Sequence, residues 1–255
     1  MILTVAMQKG GTGKTTTAAA LAQAAARHKL KVLTIDLDPQ RNLTSALGIG
    51  TEDAETGPGD AYKLITGARA IDQIYMSNQP YIDIVPGHDA LATITTSPGS
   101  ARRLQKALEP IQAANVYDLI IVDTPPTAGE LQYNAIQAAD RLIIPLRADT
   151  YSAQGLNTIA ENVKQIQQSN PGLIVAGILF TQYRQSSILE KQLFRAIINK
   201  AVGEFGFPYL GTIRTCDRVS EAAALQESIY HYAPRCSAAA DYADIFNEIT
   251  NYQYT

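Results

Sequence analysis

The sequence has no tryptophan, three histidines and two cysteines, Cys216 and Cys236. Two cysteines make no disulfide framework, and with the scattered histidines they make no zinc-type ligand cluster; they read as ordinary packing or surface residues. No apolar run approaches the roughly 20 residues of a membrane span. Residues 1–7 carry neither a basic leader nor a cleavage-type end, so no signal peptide is expected. Positive charge is not in excess either: 21 Lys+Arg against 24 Asp+Glu give −3 at pH 7. That excludes a chain coated in basic residues and leaves room for a local basic patch. With 46% hydrophobic and 18% charged residues, wholesale disorder is excluded. The expectation is a soluble, cytoplasmic protein.

What is present is alternation. Apolar runs at residues 2–7, 31–36, 82–85, 117–123, 141–146 and 173–180 read as strands, and the stretches 13–28, 41–47, 100–114, 129–138, 151–169 and 187–202 read as helices. Leu119-Ile120-Ile121-Val122 and Leu142-Ile143-Ile144 are apolar at consecutive positions. Strands buried on both faces have that pattern, so the fold class is α/β, a mostly parallel twisted sheet with helices on both faces. The alanine-rich stretch 18–26 favours a helix lying close to the sheet. The turn-rich segment 48–60 is too short for an interdomain linker, and residues 1–255 read as one domain.

Directly after the first strand and opening the first helix comes Gln8-Lys9-Gly10-Gly11-Thr12-Gly13-Lys14-Thr15-Thr16. Glycines let backbone N–H groups converge on phosphate oxygens, and the helix presents its positive end to the same anion. In such a loop Lys14 reaches the β- and γ-phosphates and the Thr15 hydroxyl sits on Mg²⁺. The usual pattern has glycine where this chain has Gln8, and Lys9 is an additional lysine. At the mouth of a phosphate loop that lysine is either solvated surface or a second charge aimed at phosphate.

Two strand ends supply acids. Asp36 and Asp38 close the segment Thr34-Ile35-Asp36-Leu37-Asp38-Pro39-Gln40, and Asp123 ends the run Ile120-Ile121-Val122-Asp123-Thr124-Pro125-Pro126. In a parallel sheet the carboxyl ends of the strands border the binding crevice, which places all three acids on one rim with Lys14. Asp123 reads as a Walker B acid, and Asp36 as either a metal ligand or support for one.

These segments, with Arg41-Asn42-Leu43-Thr44-Ser45, Asn134-Ala135, Ile144-Pro145 and Thr212-Ile213-Arg214, resemble the ParA branch of the deviant-Walker ATPases, over nearly the whole chain. The resemblance implies a P-loop ATPase domain using ATP and Mg²⁺. It implies that Lys9 is the signature lysine reaching the partner's phosphates in an ATP-bound homodimer, with Gly10 small where the subunits approach. Gly11, Thr12, Gly13 and Lys14 would cradle the nucleotide, and Thr16 would contact the α-phosphate. Thr15 would ligate Mg²⁺, Asp123 would hold it through water, and Asp38 would position the attacking water in a slow hydrolysis. It further implies non-specific DNA binding, nucleoid association of the ATP form, and a ParB-like or equivalent partner that stimulates hydrolysis. The chain begins at the phosphate-loop strand, like the short forms without an N-terminal helix-turn-helix, so operator binding is not expected.

The DNA surface is only mildly basic. From Thr181 to Arg235 seven Lys+Arg face five Asp+Glu, and the resemblance puts DNA contacts at Arg184 and Arg218. Cys216 stands where relatives often carry asparagine near the base. Asn199-Lys200-Ala201-Val202 lacks the aspartate of a guanine-reading motif, so ATP is expected over GTP. A MinD-like membrane-positioning ATPase needs a basic amphipathic tail, whereas Asp241, Asp244 and Glu248 make this one acidic. Iron–sulfur carriers need cluster cysteines, and a tyrosine kinase would use a terminal cluster such as Tyr252 and Tyr254. A metabolic ligase would turn over a small substrate without DNA.

Overall fold

The computed structural model describes residues 1–49, 59–95, 100–184 and 188–250. The strands among them are β1 (Ile2–Val5), β2 (Val32–Asp36), β3 (Tyr75–Met76), β4 (Ile82–Val85), β5 (Leu119–Asp123), β6 (Arg141–Leu146), β7 (Ile174–Tyr183) and β8 (Tyr209–Arg214). They form one sheet in the order β3-β4-β2-β5-β1-β6-β7-β8. Every pairing is parallel except β3 with β4. The helices are α1 (Lys14–Arg27), α2 (Asn42–Ala46), α3 (Ala61–Thr66), α4 (Arg103–Ala114), α5 (Glu130–Ala138), α6 (Thr150–Gln167), α7 (Ile188–Gly203), α8 (Arg218–Ala224), α9 (Ile229–Tyr232) and α10 (Ser237–Thr250).

The consecutive apolar runs divide between two faces. Leu119 and Ile121 of β5 join the core beneath α1 and α10, while Ile120 and Val122 face the core beneath α4 and α5. Likewise Ile143 points to the first face and Leu142 and Ile144 to the face under α6. The alanines of α1 explain its closeness: Ala18, Ala22 and Ala25 are wholly buried against the sheet.

Sequence boundaries shift modestly. The run 117–123 shortens to Leu119–Asp123, and 173–180 lengthens to Ile174–Tyr183 as β8 pairs along it. The sequence pattern missed β3 and β8, both at the rims of the sheet, where few residues are buried. It also missed α3 and α8–α10. Most of the turn-rich segment, residue 187 of the expected helix 187–202, and Tyr252 and Tyr254 lie outside the described residues. Helix α10 buries Tyr242, Ile245, Phe246 and Ile249 on the α1 face of the sheet, and its acids point elsewhere. Among the described residues no helix is long and apolar enough to cross a membrane.

Candidate functional site

Strand β1 lies at the centre of the sheet, and the chain leaving it must turn sharply into α1. Gly11 and Gly13 make that turn with φ of +71° and +79°, a region costly for residues with a Cβ. At Gly13 a Cβ would also sit 3.3 Å from Thr181, whose hydroxyl donates to the Thr12 carbonyl at 2.8 Å. Thr181, on β7, thus braces the loop from a strand far away in sequence. The first helical bond of α1 runs from the Thr17 N–H to the Gly13 carbonyl, 2.8 Å. The N–H groups of Gly13, Lys14, Thr15 and Thr16 therefore have no intrahelical acceptor and form an anion-binding end.

Lys14 is buried, and its ammonium donates to the Lys9 carbonyl at 2.8 Å. Burial lowers its pKa, against the opposing pull of Asp123 and Asp38. The ammonium is held inside the loop, under the place an anion would occupy.

The acids assemble through strand register. Asp36 of β2 is directly paired with Asp123 of β5, and Val5 of β1 pairs with Asp123 on the other side. Both carboxylates are wholly buried, yet their environments differ. Asp36 accepts the Asp38 N–H at 3.0 Å on Oδ1, and the Thr44 N–H and hydroxyl at 2.9 and 2.7 Å on Oδ2. Asp123 accepts the Thr124 N–H on Oδ1, while its buried Oδ2 has no hydrogen-bond partner. Gly87 closes over the first acid: a Cβ there would lie 2.9 Å from the Asp38 carbonyl and 3.1 Å from Asp36 Cγ. Asp38 is buried too, and its Oδ1 accepts the Gln40 N–H at 2.9 Å.

Burial pushes the Asp36 carboxyl up to about 6, against the hydrogen bonds from Thr44 and Asp38. Burial, then the Asp36 charge, raises Asp123 well above the carboxylate range; the Thr15 hydroxyl and Lys14 oppose this. Between pH 4 and 6 the folded state thus binds more protons than the unfolded chain, so stability falls as pH rises through this window. The ligand-free protein should unfold in urea about 1–2 kcal/mol later at pH 5 than at pH 7.5. Asp123→Asn should stabilise it at pH 7.5 and flatten the slope. A slope of opposite sign would refute this burial of charge.

The loop lysine has a partner within its own chain. Lys9 Nζ forms an ion pair with Asp149, lies 3.5 Å from the Ser152 hydroxyl and sits over the Tyr151 ring. Asp149 also caps α6 by accepting the Ser152 N–H at 2.9 Å. Burial works against ionisation of Asp149, but the bonds from Lys9 and Ser152 outweigh it and hold the carboxyl below its usual range. Asp149, Ser152 and Thr181 were not singled out in the sequence, because each meets the loop only through sheet topology.

The loop opens on a cavity of about 550 Å³ lined by Gly10, Gly11, Gly13, Lys14, Thr15, Thr16 and Asp38. Beyond Gly13 and Thr16 lies a second space of about 240 Å³, walled by Thr215, Cys216, Asp217 and Tyr242. Arg184 is exposed and borders this second space. Arg218 opens α8; it is exposed and its guanidinium pairs with Glu221 at 2.6 Å. Arg214 is likewise neutralised by Asp241.

A family model described as an AAA domain matches residues 1–175. The chain is 32% identical over 255 residues to the chromosome partitioning protein ParA of Caulobacter vibrioides, covering 97% of this chain and 93% of that protein. The chain belongs to the ParA family. The sporulation initiation inhibitor protein Soj of Bacillus subtilis is 34% identical over 253 residues, covering 97% of each. Among solved structures, an ATP complex of a Cyanothece McdA variant superposes with a TM-score of 0.85 at 24% identity, over 100% of this chain and 97% of that one. The Caulobacter relative is a chromosome partitioning protein by name, and the likeness to McdA is one of fold.

Proposed function

We propose that residues 1–255 act as one ATPase unit in DNA partition: it binds Mg·ATP, pairs with a second copy around the nucleotides, and in that form holds DNA non-specifically. Hydrolysis is slow until a DNA-bound, ParB-like partner stimulates it. The observation that carries this reading is the arrangement of two lysines at one loop, Lys14 beneath the anion position and Lys9 at its mouth.

The loop residues suit a triphosphate, with the N–H groups of Gly13 to Thr16 and the Lys14 ammonium facing the anion. The residues also fit magnesium. Asp123 offers an orphaned buried oxygen next to Thr15, whereas the oxygens of Asp36 already accept three hydrogen bonds. Thr15 and Asp123 would hold the metal, while Asp36 fixes the Asp38 backbone and the Thr44 turn. Among the described residues no cluster of three His, Cys, Asp or Glu could hold a metal by itself. That suits an ion carried mainly by phosphates and water. When bound, magnesium neutralises charge on the β- and γ-phosphates. Asp38, on the cavity wall, orients the attacking water. Lys9 exchanges Asp149 for the nucleotide of the second copy.

A membrane-positioning reading is disfavoured, because α10 spends its apolar face on the core. ATPase assays with and without DNA, combined with sizing in ATP and ADP, test the proposal. The expected result is slow turnover raised by DNA and pairing seen in ATP alone. DNA-independent turnover without pairing would favour a metabolic ligase and overturn it. Arg184→Glu and Arg218→Glu should each weaken DNA binding about fivefold and make the salt slope shallower by about one. ATP binding should be unchanged in Arg218→Glu.

A further inference from the structure

Helix α5 carries a side chain that neither the core nor the phosphate loop accounts for. Gln132 is 1% exposed, and among the described residues neither its Nε2 nor its Oε1 has a hydrogen-bond partner. A primary amide offers two donors and an accepting oxygen, and leaving them unmet inside a fold is destabilising. Two positions on, Asn134 shows the ordinary solution. Its Nδ2 donates to the Glu130 carboxylate at 2.8 Å, and its Oδ1 accepts the Leu104 N–H at 3.2 Å. Gln132 stands instead on the wall of a cavity of about 410 Å³, together with Asp38, Gln40, Pro126 and Glu130. Asp38, Gln40 and Pro126 also line the cavity of about 550 Å³ over the phosphate loop, so Asp38 borders both spaces.

The chemistry of this wall selects its guest. The carboxylates of Asp38 and Glu130 disfavour an anion, and the amide disfavours a wholly apolar molecule. The first turn of α5 adds donors. The Tyr133 N–H bonds to the Gly129 carbonyl at 3.0 Å, so the N–H groups of Glu130, Leu131 and Gln132 have no intrahelical acceptor. Water both donates and accepts, and it suits a wall on which donors and acceptors stand together. A water that accepts a bond from Gln132 Nε2 keeps both hydrogens for carboxylate oxygen. Asp38 has use for such a bond, because the Gln40 N–H steadies it from one side, on Oδ1.

We propose that Gln132 is a positioning residue for ATP hydrolysis: its amide binds water in this cavity, and that water holds the Asp38 carboxylate turned towards the nucleotide. Gln132 touches neither ATP nor the attacking water; it acts through Asp38, and so rests on the reading of Asp38 given above. An apolar side chain of the same length would fill this place without an unmet amide, so packing alone gives no reason for glutamine.

Gln132→Met keeps the length and the helix propensity and removes both polar atoms. The full chain is compared as parent, Gln132→Met, Asp38→Ala and the double variant. Single-turnover ATP hydrolysis, titration of a non-hydrolysable ATP analogue and a melting curve are measured for each. Gln132→Met should turn over about tenfold more slowly, bind the analogue within about twofold of the parent, and melt no lower than the parent. The double variant should hydrolyse within about twofold of Asp38→Ala, since nothing is left to position. Parental turnover in Gln132→Met, or a slowing that multiplies with that of Asp38→Ala, would overturn the proposal. So would affinity lost in step with rate, or slow turnover with a lowered midpoint, which would assign Gln132 to packing. If Asp38→Ala itself turns over at the parental rate, the Asp38 reading falls and this proposal with it. A slow Asp38→Ala beside a parental Gln132→Met removes this proposal alone.

Discussion

Lys14→Ala should reduce binding of ATP by about a hundredfold or more, because it removes a charge-assisted bond to phosphate inside a buried site. The ammonium sits in the loop, bonded to the Lys9 carbonyl and attracted by Asp123 and Asp38. A triphosphate replaces a neutral carbonyl with a full negative charge, so most of the interaction appears only on binding. Burial disfavours the charged lysine while Asp123 and Asp38 attract it, so the two effects on the fold oppose one another. The thermal midpoint of the ligand-free variant should stay within a few degrees of the parent. Titration of a fluorescent analogue, with a melting curve alongside, separates the two. Affinity within threefold of the parent would show that the anion sits elsewhere.

Asp38→Ala should slow ATP hydrolysis by about 10²–10³-fold while leaving ATP affinity within a few-fold. The variant should accumulate as an ATP-bound pair that stays on DNA. Asp38 does two things, however: it faces the cavity and its Oδ1 accepts the Gln40 N–H. Asp38→Asn keeps an acceptor for that N–H and removes the charge. If both variants are slow, the charge orients the water; if only the alanine variant is slow, the loop geometry is what matters. Parental turnover in both would remove Asp38 from the reaction. Single-turnover kinetics with filter-bound DNA reads both quantities.

The two faces of the sheet were legible because β5 and β6 carry unbroken apolar runs, whose alternate residues need cover on both faces. The phosphate loop was legible because its glycines, lysine and threonines act through local backbone geometry. The edge was not. In β8, Gly211 interrupts the pattern and only Leu210 and Ile213 are buried, so the strand exists through its pairing with β7. Helix α10 carries an apolar stripe at Ala238, Tyr242, Ile245, Phe246 and Ile249, but its acids drew the reading to charge. The support for the site was hidden for a different reason. Thr181 reaches Thr12, and Asp149 reaches Lys9, across separations that only the strand order closes. Thr44 on Asp36 is nearer in sequence, yet nothing in a lone threonine announces a carboxylate partner.

Helix α10 lies against α1, the helix that carries the phosphate loop, and the Tyr242 hydroxyl touches Thr17 near its start. Anything joined beyond residue 250 therefore hangs from a lever on the loop. A fluorescent protein attached there through a short stiff connector would pull on that lever. Tracking of the molecule in living cells accordingly calls for a long flexible spacer. Clipping the helix to free the end would strip cover from the core, and diffuse fluorescence in such a strain would report misfolding.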